Sequence, residues 1–226
     1  MAADLHAMPF RGERLRDLAE MEGLSMRDLA AALGTTQSRV SKIVNGRSRL
    51  TPEIIEAATT TYGVPAVFFS VVPAQQDQAA ITFRKRASSS VRDDRRITRL
   101  FREAARLWRT ASEISGFRTV DMSGLRELVR DSRVEDIAVA LREEDGLSSE
   151  DPIPNMVRFT ERRGVGVILG LDPLLSQRPV DEYDDLRDKD YSGVSSPSRF
   201  EDRPLVATVA LQPGAVTRMT IGHELG

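Results

Sequence analysis

The 226-residue chain contains no cysteine. That excludes a disulfide framework and any zinc site built on thiolates, and it suits a reducing, cytoplasmic setting. No apolar run approaches the roughly 20 residues that a membrane span requires, and the first residues lack the apolar stretch of a signal peptide. No membrane partner is therefore expected. Charge of one sign is also scarce, since the net value is only −2. That small sum conceals strong local asymmetry, so charge has to be read by segment. What is present is 40% hydrophobic residues, enough for real cores, and a length that favours two modest domains over one.

The most informative stretch runs from Met26 to Asn45, MRDLAAALGTTQSRVSKIVN. Leu29, Ala30, Leu33, Val40 and Ile43 fall where two short helices would pack against each other, with Gly34 at the turn between them. That turn needs a residue tolerant of positive φ, which glycine supplies without steric cost. Thr36 is placed to cap the second helix. Ser25, with Asp28 three residues on, forms an acidic variant of a capping box for the first. Thr35 departs from the pattern, because an apolar residue is preferred there, and a slightly looser turn is expected.

On this helix-turn-helix reading, Gln37 to Val44 is the recognition helix. Gln37, Ser38, Ser41 and Lys42 lie opposite Val40 and Ile43, with Arg39 at the edge. Glutamine can bond adenine bidentately, lysine or arginine can take guanine O6 and N7, and serine adapts to either. Phosphates would be held at the Thr36-capped helix N-terminus and by Arg27, Arg47 and Arg49. An ordinary helical hairpin with a polar surface is the alternative. It leaves unexplained why four bases stand between Arg39 and Arg49 with no acid among them.

Residues from about Arg11 to Ser70, including the Asn-Gly that ends the recognition helix and the later Gly-Val-Pro, resemble the lambda-repressor/Cro-like regulators, the XRE family. The resemblance implies five helices, a double-stranded DNA operator of inverted-repeat form and a homodimer that reads it. It covers about the first third of the chain. Residues 1–9 read as a tail, with the first helix starting at Phe10 and carrying Leu15, Leu18 and Ala19 inward. Another helix is expected from Pro52 to Tyr62. Within residues 1–70 the acids and bases balance at eight each, so binding would depend on where the charge sits.

Pro73 to Ala80 reads as a polar linker. From Arg84 to Arg109 ten bases face three acids. Ile97, Leu100, Phe101, Ala104, Leu107, Trp108 and Ala111 recur at three- and four-residue steps, the mark of a long amphipathic helix. Its basic face, with Arg95, Arg96, Arg99 and Arg102, either adds phosphate contacts or is a solvated face on a helix that packs domains or subunits together. Trp108 is most simply a core or interface residue. The helix from Arg95 to Ser115 is the candidate for dimerisation.

From about Val120 the pattern changes to short helices and strands. Val134, Ile137, Ala138 and Leu141 mark a helix closed near Gly146. PIPNMVRFTERRG marks another, ending at Gly164. VGVILGL and PLVATVAL read as buried strands. The segment DEYDDLRDKD, with six acids against two bases, reads as a solvated loop and lacks the Gly and terminal Glu of a calcium-binding EF-hand. At the end, RMTIGHELG supplies His223 and Glu224 of a His-Glu-x-x-His motif, in which two histidines hold zinc and the Glu acts as base on the bound water.

Taken in order, PIPNMVRFTERRGVGVI, YSGVSS, RPLVATVAL and RMTIGHELG resemble the landmarks of the ImmA/IrrE metallopeptidase-like domain. The resemblance implies His223 as a zinc ligand and Glu224 as catalytic base. The sequence stops before the second histidine, so no cofactor is expected as given and zinc only in a full-length form. Ile221 and Leu225 are expected to pack poorly.

The resulting expectation is an α-helical lambda-repressor-like domain at residues 1–72, a linker and basic amphipathic helix at 73–119, and an incomplete, mainly helical α+β zincin-like domain with a small sheet at 120–226. Its function would be that of a cytoplasmic DNA-binding transcriptional regulator, a repressor of phage, prophage or mobile-element type. The alternatives are a fragment of a zinc endopeptidase that cleaves a regulator, and an antitoxin-like module that binds a protein partner through its C-terminal half.

Overall fold

A computed structural model describes residues 9–73, 81–85, 90–120, 134–176, 191–196 and 203–225. The expected loop at 181–190 and most of the linker at 73–80 lie outside them. The chain splits into two compact units, one of Met1–Asp77 with Ser90–Leu100, the other of Gln78–Ser89 with Phe101–Gly226.

The first unit holds α1 (Arg14–Met21), α2 (Met26–Ala32), α3 (Gln37–Val44), α4 (Pro52–Tyr62) and a 3-10 turn, Ala66–Ser70. These are the five helices implied by the resemblance, the last of them 3-10. The first starts at Arg14 rather than Phe10, because Arg11 to Glu13 form a turn whose carbonyls accept from Arg14, Leu15 and Arg16. The Arg11 amide is held instead by the Phe69 carbonyl at 2.7 Å. Leu15, Leu18, Leu29, Val40, Ile43, Ile54, Ile55 and Phe69 make one buried cluster, in which truncating a leucine or isoleucine to alanine costs about 2–5 kcal/mol.

Three of these helices end in the same way. Gly23, Gly34 and Gly46 all have positive φ. After each, the next residue's N–H reaches back five residues: Leu24 to Ala19, Thr35 to Ala30 and Arg47 to Lys42. This is the Schellman arrangement, which satisfies carbonyls that a helix end leaves open. It accounts for Thr35: in that motif the residue packs back on the last turn, and half-buried Thr35 offers only a methyl group there.

Helix α5 (Val91–Ser115) gives its first turns to the first unit and the remainder to the second. In the first unit Ile97 is buried and Arg99 is 5% exposed. The Arg99 guanidinium meets Asp17 at 3.0 Å and Glu20 at 2.7 Å. Arg96 donates to the Met21 carbonyl at 2.7 Å. Two of the four arginines considered for phosphate contact are thus engaged by α1 and the turn after it, while Arg95 is exposed. Leu107 and Ala111, read as part of the apolar stripe, are also exposed.

The second unit contains a four-stranded sheet in the order β1 (Thr82–Lys85), β3 (Tyr191–Ser195), β4 (Leu205–Thr208), β2 (Gly166–Ile168). β1–β3 and β3–β4 are antiparallel, and β2–β4 is parallel. The two strands read from VGVILGL and PLVATVAL are therefore neighbours. β1 lies inside the basic run that the sequence presented as linker and helix; its pairing partner is more than 100 residues away, and no local pattern announces it. The unit also holds α6 (Val134–Glu144), α7 (Met156–Glu161), a helical turn at Pro173–Ser176, and α8 (Gly214–Leu225).

Helix α8 begins at Gly214, four residues before the RMTIGHELG segment. It packs on α7, β3 and β4. Ile221 is fully buried, contrary to the expectation of poor packing, while Leu225 is half-buried. The contact of α8 with the sheet accounts for the burial of Ile221. Trp108 stands edge-on to Phe117 with ring centroids 4.8 Å apart. Its ring lies so close to Gly166 that an added Cβ would sit 2.5 Å from it.

Candidate nucleic-acid interface

The hairpin positions its outward face by burying the inward one. Val40 and Ile43 are at most 1% exposed and Val44 is 8% exposed, so the opposite side of α3 must face solvent. Gln37, Ser38, Arg39, Ser41 and Lys42 are all exposed. Arg27, Arg47 and Arg49 are exposed as well, and none of the five cations forms an ion pair with a described residue. Exposed cations outside any ion pair are available to hold phosphates.

Both ends of α3 are fixed by hydrogen bonds, the first of which the sequence foreshadows. The Thr36 hydroxyl accepts from the Arg39 amide at 3.2 Å. The first-turn amides of Gln37 and Ser38 have no acceptor within the helix by its geometry, and they point toward the end where a phosphate would lie. At the other end Asn45 Nδ2 donates to the Ser41 carbonyl at 2.8 Å and reaches Ser41 Oγ at 3.4 Å. Asn45 thus orients a serine on the exposed face of α3, a contact that the sequence reading missed because it took Asn45 only as half of a turn signal.

Helix α2 is capped as expected. The Ser25 hydroxyl accepts from the Asp28 amide at 3.2 Å and donates to the Asp28 carboxylate at 2.6 Å. That hydroxyl, more than any charge, holds the Asp28 carboxyl below its ordinary pKa; Arg92 and Arg27 add smaller attractions. Gly12 is a further positioning residue. A Cβ there would collide with the Ile43 carbonyl oxygen and lie 2.8 Å from Ile43 Cγ2, so the turn before α1 seats directly on α3.

Arg14 was not legible as a structural residue. It is fully buried, with its guanidinium 3.8 Å from the Phe68 ring centre, donating to the Phe68 carbonyl at 3.0 Å and to Asp17 at 2.6 Å. The available signal was the Arg14–Asp17 pair at i,i+3 on the same face as Leu15 and Leu18.

The second candidate site is less complete. His223 is exposed and Glu224 half-buried on α8. Glu224 Oε2 accepts from the Ser195 hydroxyl on β3 at 2.6 Å, while its Oε1 is buried without a partner. Gly193 permits this approach, since a Cβ there would lie 2.8 Å from Glu224 Oε1. Among the described residues no group of three His, Cys, Asp or Glu side chains could hold a metal ion. A catalytic zinc needs about three protein ligands and an open position. The described residues do not fit it.

Residues 12–67 match the helix-turn-helix domain family, a span that holds α1 to α4 and all of the buried cluster except Phe68 and Phe69. No curated protein and no solved structure matches the chain. The first unit therefore carries a helix-turn-helix domain, and no helix among the described residues is long and apolar enough to cross a membrane.

Proposed function

We propose that the chain is a sequence-specific DNA-binding transcriptional regulator, a repressor of the phage, prophage or mobile-element type, that reads an inverted-repeat operator as a dimer. Gln37, Ser38, Ser41 and Lys42 read base edges. Arg27, Arg39, Arg47, Arg49 and the Thr36-capped amides hold the backbone in register. The observation that carries this reading is the exposed polar and cationic face of α3, fixed in orientation by buried Val40 and Ile43 on its other side. In this reading the second unit is a regulatory partner with a peptidase-like scaffold. Its support is the seating of the His223-Glu224 helix on β3 and β4, and no hydrolytic step is assigned to it.

The test is binding of the whole chain to its own upstream DNA across a salt series. Gln37→Ala should lose about 1–3 kcal/mol of discrimination against unrelated DNA and keep the salt slope. Arg47→Ala should keep the sequence preference and lower the slope of log K against log salt by about 0.9. Indistinguishable binding of operator and random duplex by the unmutated chain would falsify the proposal.

A further inference from the structure

We propose that the second unit binds a small molecule carrying a carboxylate or phosphate on an apolar body, in the cavity between α7 and the loop that joins α6 to it. The cavity encloses about 300 Å³, at the lower end of the range for small-molecule sites. Its walls are of two kinds. Leu147, Ile153, Pro154 and Phe159 supply apolar surface, and Arg158 within α7 and Arg162 at its C-cap line the polar side together with Asn155 and Asp145. Residues four apart on a helix are neighbours on one face, so the two cations can share one oxyanion, each through paired N–H groups.

Positive charge is in excess there. The Arg158 side chain has no hydrogen-bond or ion-pair partner among the described residues. The cavity's one carboxylate, Asp145, is already shared between Arg162 at 3.1 Å and Arg163 at 3.8 Å. Arg162 remains 60% exposed with donors to spare. An incoming anion would therefore meet two cations without having to displace Asp145.

The site is also held in shape before any ligand arrives. Phe159 is 4% exposed, and Arg163 lies over its ring at 3.7 Å. Arg163 also donates to the carbonyls of Phe159 and Leu141, which fastens α7 to α6. Across the cavity, Arg218 of α8 donates to the Ile153 carbonyl at 2.7 Å. Arg142 donates to the Asp151 carbonyl, and Asp151 Oδ2 accepts from the Ser148 amide at 2.7 Å. Walls that need no ordering on binding leave more of the contact energy as affinity. The concavity and its apolar walls favour a small molecule over a duplex backbone, which would use the arginines alone.

Titration calorimetry of the whole chain with phenyl phosphate, benzoate and inorganic phosphate at fixed ionic strength tests this. Phenyl phosphate or benzoate should bind saturably and more tightly than inorganic phosphate, and whichever binds more tightly identifies the acid group. Arg158→Gln and Arg162→Gln should each weaken that binding at least about tenfold, with thermal unfolding followed by circular dichroism showing that both variants fold. Absence of saturable binding, or binding that both variants keep, overturns the proposal. So does an effect of the two substitutions seen only in the salt slope of DNA binding, which would assign the arginines to phosphates of the duplex. Because the site lies in the second unit, failure here leaves the reading of α3 untouched, and failure of operator binding leaves this site untouched.

Discussion

Gly12 shows how much one residue can control at a distance in sequence. It lies 25 residues before the recognition helix begins, yet its missing side chain is what lets the turn before α1 rest on the Ile43 backbone. Gly12→Ala should cost about 1–3 kcal/mol through overpacking, and because the clash falls on α3 itself, operator affinity should drop along with the denaturation midpoint. Urea unfolding paired with a DNA titration checks this; an unchanged midpoint would mean that the turn yields without strain. Arg14 makes the same point for charge. Its burial is tolerable because an aromatic face, a carbonyl and Asp17 replace water around it, as a buried cation requires.

Among the elements, α5 departs furthest from its appearance in sequence. Helical periodicity identified the helix, although Leu107 and Ala111 of the expected apolar stripe are exposed, and an arginine-rich face looks the same whether it meets phosphate or carboxylate. Arg99 is held between Asp17 and Glu20 on α1. Arg99→Ala would leave Asp17 with one cation fewer in a buried setting. The expected loss is about 3–5 kcal/mol of stability with no change in the salt slope of DNA binding. Arg95→Ala, at an exposed position, should leave stability within about 0.5 kcal/mol. Comparing their denaturation midpoints separates structural arginine from surface arginine; equal midpoints would sink the assignment of Arg99 as a brace.

At the scale of the whole molecule, the helix-turn-helix unit extends beyond the span that the family match covers. Residues 90–100 cluster with it, and Ile97 is 2% exposed there. A chain ending at Pro73 keeps α1 to α4 and the 3-10 turn but loses Ile97, the Arg96 bond to Met21 and the Arg99 pairing. It should melt at a lower temperature than a chain continued through Ser115, by an amount corresponding to about 2 kcal/mol or more. Calorimetry of the two fragments measures the difference, and coincident melting would show that the added helix contributes nothing to the unit.

The sequence by itself determined the hairpin, because everything that specifies it is local. Ser25 and Thr36 cap helices within three residues, Gly34 and Gly46 turn the chain where they stand, and the inward and outward faces of α3 follow from a 3.6-residue period. The strands β2 and β4 were legible for a similar reason, as short apolar runs bounded by turn residues. What only the tertiary structure decided was the meaning of residues whose partners are distant. Thr82–Lys85 became a strand because β3 offers it an edge more than 100 residues later. Arg99 became a brace because α1 presents two carboxylates, and Ile221 was buried because α8 finds the sheet. Propensity and period act over a few residues, whereas burial and charge pairing depend on which surfaces the folded chain brings together, and a linear pattern does not carry that information.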